Sequence, residues 1–138
     1  MRRLLLLILF VAPAWAGIVE DVRGALADNS TVAANMFLKS YLAKNGADGE
    51  YIEAYSWMAR SALSNGDYDQ ATAYAKQTEA LATEQLKKRA LDAEPHLPIG
   101  LGAAIEVESQ ALAARGEHEK AVAVLQAAIK TYGNTSMR

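Results

Sequence analysis

Apolar side chains recur along most of this chain at intervals of three and four residues, the spacing that lines up one face of an α-helix. The clearest example is residues 50–91, where a short polar break separates two such stretches. The apolar positions before the break are Tyr51, Ala54, Tyr55, Met58, Ala59, Ala62 and Leu63. Those after it, which keep the same period, are Tyr68, Ala71, Ala75, Thr78, Ala82 and Leu86. With only about three residues between them, the two helices must run antiparallel as a hairpin.

The break itself has the chemistry of a tight turn between helices. Asn65 and Gly66 can adopt the left-handed conformation that ends a helix. Asp67 follows at once, and its carboxylate can cap the next helix by accepting hydrogen bonds from the first backbone N–H groups. The sequence therefore predicts where the first helix of this hairpin stops and where the second begins.

The same pattern predicts one hairpin before this one and one after it. The first comprises a helix over residues 17–27 and another from Ser30 to Lys44, with Ser30 or Asn29 as its cap. The second helix of the central hairpin continues through residues 87–89, until the prolines near residue 95 end it. The last hairpin is predicted from about Ile99 to Tyr132, with its turn at Gly116. We therefore expect an all-α protein of about six helices in three antiparallel hairpins.

The composition favours helices and excludes several kinds of site and partner. The chain has 28 alanines and only three prolines, a balance that favours helix over strand. At 138 residues it forms one domain at most. The lack of cysteine excludes disulfides, thiolate metal sites and thiol redox chemistry. The net charge of −2, with no strongly basic segment, argues against nucleic acid as a partner.

The first 16 residues have the pattern of a secretory signal peptide. Arg2 and Arg3 precede an apolar run from Leu4 to Val11, and Ala14-Trp15-Ala16 has the small residues that signal peptidase reads. The alternative is a membrane anchor, but an apolar run of about eight residues is too short for a bilayer, which needs about 20. We expect cleavage after Ala16, a secreted or periplasmic protein, and no membrane span in the remaining domain, residues 17–138. Removal of the leader would leave 12 basic and 16 acidic side chains.

Two inter-helix turns of the chain repeat one pattern: glycine, acid, ring, acid, long polar residue, alanine. They are Gly66-Asp67-Tyr68-Asp69-Gln70-Ala71 and Gly116-Glu117-His118-Glu119-Lys120-Ala121. This pattern resembles the turn of the tetratricopeptide repeat, a helix-turn-helix unit of about 34 residues. The resemblance implies that the hairpins stack as a short tetratricopeptide-like solenoid. Two features depart from that family: the turns lie 50 residues apart, and Glu108 occupies a position where an aliphatic side chain is expected.

A weaker resemblance covers nearly all of the chain after the leader. Residues 84–89, 92–98 and 102–107 look like the helical N-terminal part of certain secreted bacterial proteins in which a thioredoxin-like domain follows. This chain has no Cys-x-x-Cys pair, so no redox activity can be assigned to its residues. The resemblance implies an alternative function, in which the chain is the helical accessory region of an oxidoreductase whose redox domain is absent from it.

No catalytic or cofactor-binding arrangement can be recognised in the sequence. The two histidines, His96 and His118, each lack a second histidine at ligand spacing. Glu106 and Glu108 are two apart on a predicted helix and point in different directions, which makes them a poor acid–base pair. Phosphate-binding glycine loops and dinucleotide fingerprints are also missing. We therefore predict a protein that is not an enzyme and that needs neither metal nor cofactor.

The tetratricopeptide resemblance also implies a binding surface. In stacked hairpins the first helices line a concave face, where proteins of that family hold peptides. By this analogy Ile52, Glu53, Ser56 and Arg60 would face a partner, because they alternate with the buried stripe. Trp57 lies off that stripe and is predicted to fill the space between hairpins, or to anchor a partner if it is exposed. The predicted function is a non-catalytic scaffold that binds a protein or peptide segment.

Overall fold

A computed structural model describes residues 17–134 of the chain, so the predicted signal peptide and its cleavage site lie outside the described residues. These residues form six α-helices and no strand, which confirms the all-α fold of helical hairpins. The helices are α1 (Ile18–Ala27), α2 (Thr31–Asn45), α3 (Gly49–Ser64), α4 (Tyr68–Leu86), α5 (His96–Ala114) and α6 (His118–Tyr132). None of the six has both the length and the hydropathy needed to cross a membrane.

The six helices form three hairpins, and each hairpin packs against the next to form a stack. Within each hairpin the two helices contact each other, as α1 with α2, α3 with α4 and α5 with α6. The first helices also contact one another along the stack, from α1 to α3 and from α3 to α5. The second helix of one hairpin lies on the first helix of the next, as α2 on α3 and α4 on α5. As a result α3 and α5 are covered on several sides, whereas α6 packs mainly on α5.

The turns form as their residue types require. Gly66 and Gly116 have φ angles of 75° and 81°, in the left-handed region that favours glycine. The Asp67 carboxylate accepts a hydrogen bond of 3.1 Å from the backbone N–H of residue 70 at the start of α4. Ser30 caps α2 in the same way, with a bond of 3.2 Å to Ala33. The capping predictions are confirmed, and each such cap stabilises its helix by about 1 kcal/mol.

The middle of the stack is built from small side chains. One cluster between α3, α4 and α5 consists mainly of alanines that are completely buried, namely Ala59, Ala71, Ala75, Ala104 and Ala111. Gly100 of α5 lies even closer to α3, because a Cβ added there would be 2.9 Å from the backbone nitrogen of Glu53. Small residues thus let the helix backbones approach, which concentrates the core around α3 and α5.

The structure places the start of α5 earlier than the sequence predicted. The helix begins at His96 rather than at Ile99. The Glu94 carboxylate accepts hydrogen bonds of 2.8 Å from the backbone N–H groups of His96 and of the next residue. Pro98 falls within the first turn, where a missing N–H costs no hydrogen bond of the helix.

The fourth helix ends at Leu86, so it does not continue through residues 87–89 as predicted. The chain then turns inward, and Leu91 and Leu97 enter a core cluster with Ile52 of α3. Burial of these two leucines stabilises the inward turn of the chain, because their apolar side chains are removed from water.

Candidate functional site

A groove of about 570 Å³ lies between α1 and α3 and extends to the turns that follow them. It is on the side of the stack formed by the first helices of the hairpins. Apolar and charged side chains share its lining, which consists of Glu20, Arg23, Gly24, Leu26, Ala27, Asn29, Trp57, Arg60, Ser61, Ser64 and Asn65.

Trp57 is the central side chain of this groove. It is half-buried, packs against the core cluster between α1, α2 and α3, and contributes to the groove surface. The guanidinium carbon of Arg23 lies 4.5 Å from the centroid of its ring, and that of Arg60 lies 5.3 Å away. Both distances allow a cation–π interaction, which contributes about 0.5–1 kcal/mol at an exposed site. The groove therefore presents an aromatic ring accompanied by two cations.

An ion pair extends this polar surface from α3 to α5. Arg60 lies 3.2 Å from the carboxylate of Glu106, and Gln110 donates a hydrogen bond of 3.1 Å to the same carboxylate. Arg23 has no such acidic partner among the described residues. The charge of Arg60 is thus partly neutralised, while that of Arg23 remains available to a negative group.

The structure corrects part of the predicted binding set. Trp57 and Arg60 line the groove, but Ile52 and Ser56 are 0% and 1% exposed and cannot face a partner. The periodicity of α3 alone suggested an open face, yet the helix is covered by α1, α4 and α5. The hydroxyl of Ser56 donates a hydrogen bond of 2.6 Å to the backbone carbonyl of Glu53, which satisfies it in the core.

Glu53 has a different role from the one predicted. Its carboxylate lies 2.6 Å from Nδ1 of His96, so it ties α3 to the start of α5. The hydrogen bond to Glu53 raises the pKa of His96. The negative charges of Glu53, Glu94 and Glu50 raise it further, whereas desolvation of the ring lowers it.

The part of the chain that the structure describes contains no group of three or more side chains able to hold a metal ion.

A second site, which the sequence reasoning missed, is a pair of carboxyl groups between α4 and α5. Glu79 and Glu108 line a cavity of about 240 Å³ that α6 also borders. Burial raises the pKa of Glu79 to about 7, aided by the hydrogen bond and charge of Glu108 and opposed by Lys76. One oxygen of Glu79 is buried without a hydrogen-bond partner. Glu79 therefore holds its proton to a higher pH than an ordinary glutamate does.

The one sequence signal for this pair was Glu108 at a position where a tetratricopeptide repeat carries an aliphatic residue. The sequence reasoning compared Glu108 with Glu106, its neighbour on the same helix. In the structure its partner is on α4, because packing of the two helices brings Glu79 beside it.

The two sites differ in what they can do. The groove exposes an aromatic ring and an arginine side by side, which suits an apolar side chain next to a negative charge. The carboxyl pair lines a cavity among α4, α5 and α6 and presents acidic side chains rather than an aromatic ring. A comparison of the chain with protein-family models, with curated proteins and with solved structures finds no match.

Proposed function

We propose that this protein is a non-catalytic interaction scaffold of the tetratricopeptide type, secreted or periplasmic, that binds a segment of another protein in the groove between α1 and α3. The observation that carries this proposal is Trp57, half-buried in a groove of about 570 Å³ with Arg23 and Arg60 beside its ring. Tryptophan and arginine are the residues that most often dominate the binding energy of protein interfaces.

The chemistry of the groove favours a particular kind of segment. An apolar side chain of the partner would pack on Trp57, and an acidic side chain next to it would meet Arg23. The groove volume lies within the range of natural ligand pockets, about 300–1,000 Å³. A short peptide is therefore the expected occupant, and a whole folded domain is not required.

Two other observations support the proposed tetratricopeptide type and the proposed export from the cytoplasm. The repeated turn and the packing of each second helix on the following first helix favour the tetratricopeptide type. The charged, apolar and small-residue regions before Gly17 favour export.

Selection from a displayed library of random peptides against the full purified chain tests the proposal. Enriched peptides should pair an apolar residue with an acidic one. Arg23→Ala should weaken their binding about 5- to 10-fold, the loss expected of one charge-assisted contact. Arg89→Ala, which removes an exposed arginine outside the groove, is the matched control and should leave the affinity unchanged.

Circular dichroism of both variants checks that the helices are intact, since neither arginine belongs to the buried core. The proposal would be wrong if no peptide were enriched. It would also be wrong if Arg23→Ala and Arg89→Ala affected binding equally.

A further inference from the structure

Helix α6 carries an exposed apolar face. Ala121 is the only residue of this helix that is buried. Val122, Leu125 and Ile129 are 52%, 43% and 70% exposed. They are three and four residues apart, so they lie along one side of the helix.

The internal repeat shows what normally covers such a face. Alignment of the two glycine-containing turns places Leu125 at the position of Ala75, and Ile129 at that of Glu79. On α4, Ala75 is completely buried and Glu79 interacts with Glu108 of α5, the first helix of the next hairpin. On α6 the same positions carry leucine and isoleucine, and no further helix of the described chain covers them.

The charges at the two ends of this face are complementary under a two-fold rotation. Glu119 is in the first turn of α6 and Lys130 in the last, and both are exposed. Neither forms an ion pair with another residue between positions 17 and 134. Leu125 lies close to the midpoint between them. If two α6 helices pair antiparallel, Leu125 meets its own copy, Val122 meets Ile129, and Glu119 meets Lys130 at both ends.

We propose that α6 pairs antiparallel with α6 of a second copy of this chain, across a two-fold axis near Leu125. Head-to-tail stacking of α6 on α1 is less favourable, because α1 has no exposed large apolar side chain. The exposed apolar side chains of that first hairpin, among them Val32, Met36 and Phe37, lie on α2. A contact of α6 with α2 of another copy is therefore the competing arrangement, and a substitution at Met36 tests it. A contact made by one helix from each copy is small, so we expect the dimer to dissociate on dilution, as interfaces below about 1,200 Å² commonly do.

The inferred pairing has a consequence for binding. The groove lies between α1 and α3, away from α6, so a dimer keeps both of its grooves open. Two linked grooves can bind a partner with two segments far more tightly than one groove can. The dimer itself does not depend on the groove binding a peptide.

Sedimentation velocity of the protein purified from cells that express the full chain tests the pairing, over about 1 to 300 µM. Ile129→Lys should raise the dissociation constant at least about 10-fold, because it places a charge in the apolar contact. Met36→Lys is the matched control: Met36 is 67% exposed on α2, and its replacement should leave the dissociation constant unchanged.

Charge reversal tests the orientation. Glu119→Lys and Lys130→Glu should each weaken the dimer about 10-fold, and the double variant should restore it, because the swapped charges meet again. A monomer at all concentrations would overturn the inference. A dimer that Met36→Lys dissociates, whatever Ile129→Lys does, or that Ile129→Lys leaves unchanged, would overturn it as well. So would a double variant as weak as the single ones.

Discussion

Replacement of Glu79 by glutamine should remove most of a pH dependence from the stability of this protein. In the folded chain, burial and Glu108 raise the pKa of Glu79 from its ordinary value of 4.5 to about 7. The folded state therefore holds a proton that the unfolded state releases between these two values. The stability that protonated Glu79 contributes is fully present below about pH 4.5 and is lost as the pH rises through about 7.

The size of the effect follows from the two proton affinities. Each tenfold difference in affinity between folded and unfolded states corresponds to about 1.4 kcal/mol, which sets an upper limit of about 3 kcal/mol. Glu79 is only partly buried, so solvent screens the interaction and we expect about 1–2 kcal/mol. Glutamine keeps the shape of the side chain, cannot ionise, and can donate a hydrogen bond to the Glu108 carboxylate.

Urea unfolding followed by circular dichroism measures this difference. At about pH 8, Glu79→Gln should be more stable than the wild type by about 1–2 kcal/mol, and at about pH 4.5 the two should be nearly equal. Both proteins retain His96, so its titration cancels in the comparison. Glu20→Gln, which alters an exposed carboxylate of α1, is the control, and its effect should change less between the two pH values than that of Glu79→Gln. A Glu79→Gln effect that does not change with pH would refute the raised pKa of Glu79.

Three further predictions concern the fold. Gly100→Ala should destabilise the protein by about 1–3 kcal/mol in the same urea titration, because the added Cβ would lie 2.9 Å from the α3 backbone. Gly24→Ala should instead stabilise the protein by about 0.5–1 kcal/mol, because a Cβ added there has nothing within 4 Å. Asp67→Ala removes the cap of α4 and should lower stability by about 0.5–2 kcal/mol, measured by thermal unfolding. Glu53→Gln breaks the pair with His96, whose pKa the pair raises; the resulting loss of stability should be larger at about pH 5.5 than at about pH 8.5.

The helices and their turns could be predicted from the sequence because the interactions that define them are local. Gly66 is needed for a left-handed turn, and Asp67 and Ser30 cap the helices that begin a residue later. The period of the apolar positions then determines which side of each helix turns inward. These signals span only a few residues, so the three hairpins were predicted without knowledge of how they pack.

The parts that sequence reasoning missed depend on contacts between hairpins. Ile52 and Ser56 are buried because neighbouring helices cover α3, which the periodicity of α3 cannot show. Glu79 and Glu108 meet through the rotation of α4 against α5, and neither helix specifies that rotation alone. Of the five predicted binding residues, only Trp57 and Arg60 line the groove, since the other three belong to the packing of α3 against its neighbours.

The most direct test of peptide binding in the groove is a nuclear magnetic resonance titration of the isotope-labelled protein with a selected peptide. We expect chemical-shift changes at the indole N–H of Trp57 and at backbone amides of α1 and α3 near Arg23 and Arg60. Amides on the exposed faces of α2 and α6 should not move. Shifts confined to those two helices, or no shifts at a saturating peptide concentration, would contradict the proposed binding site.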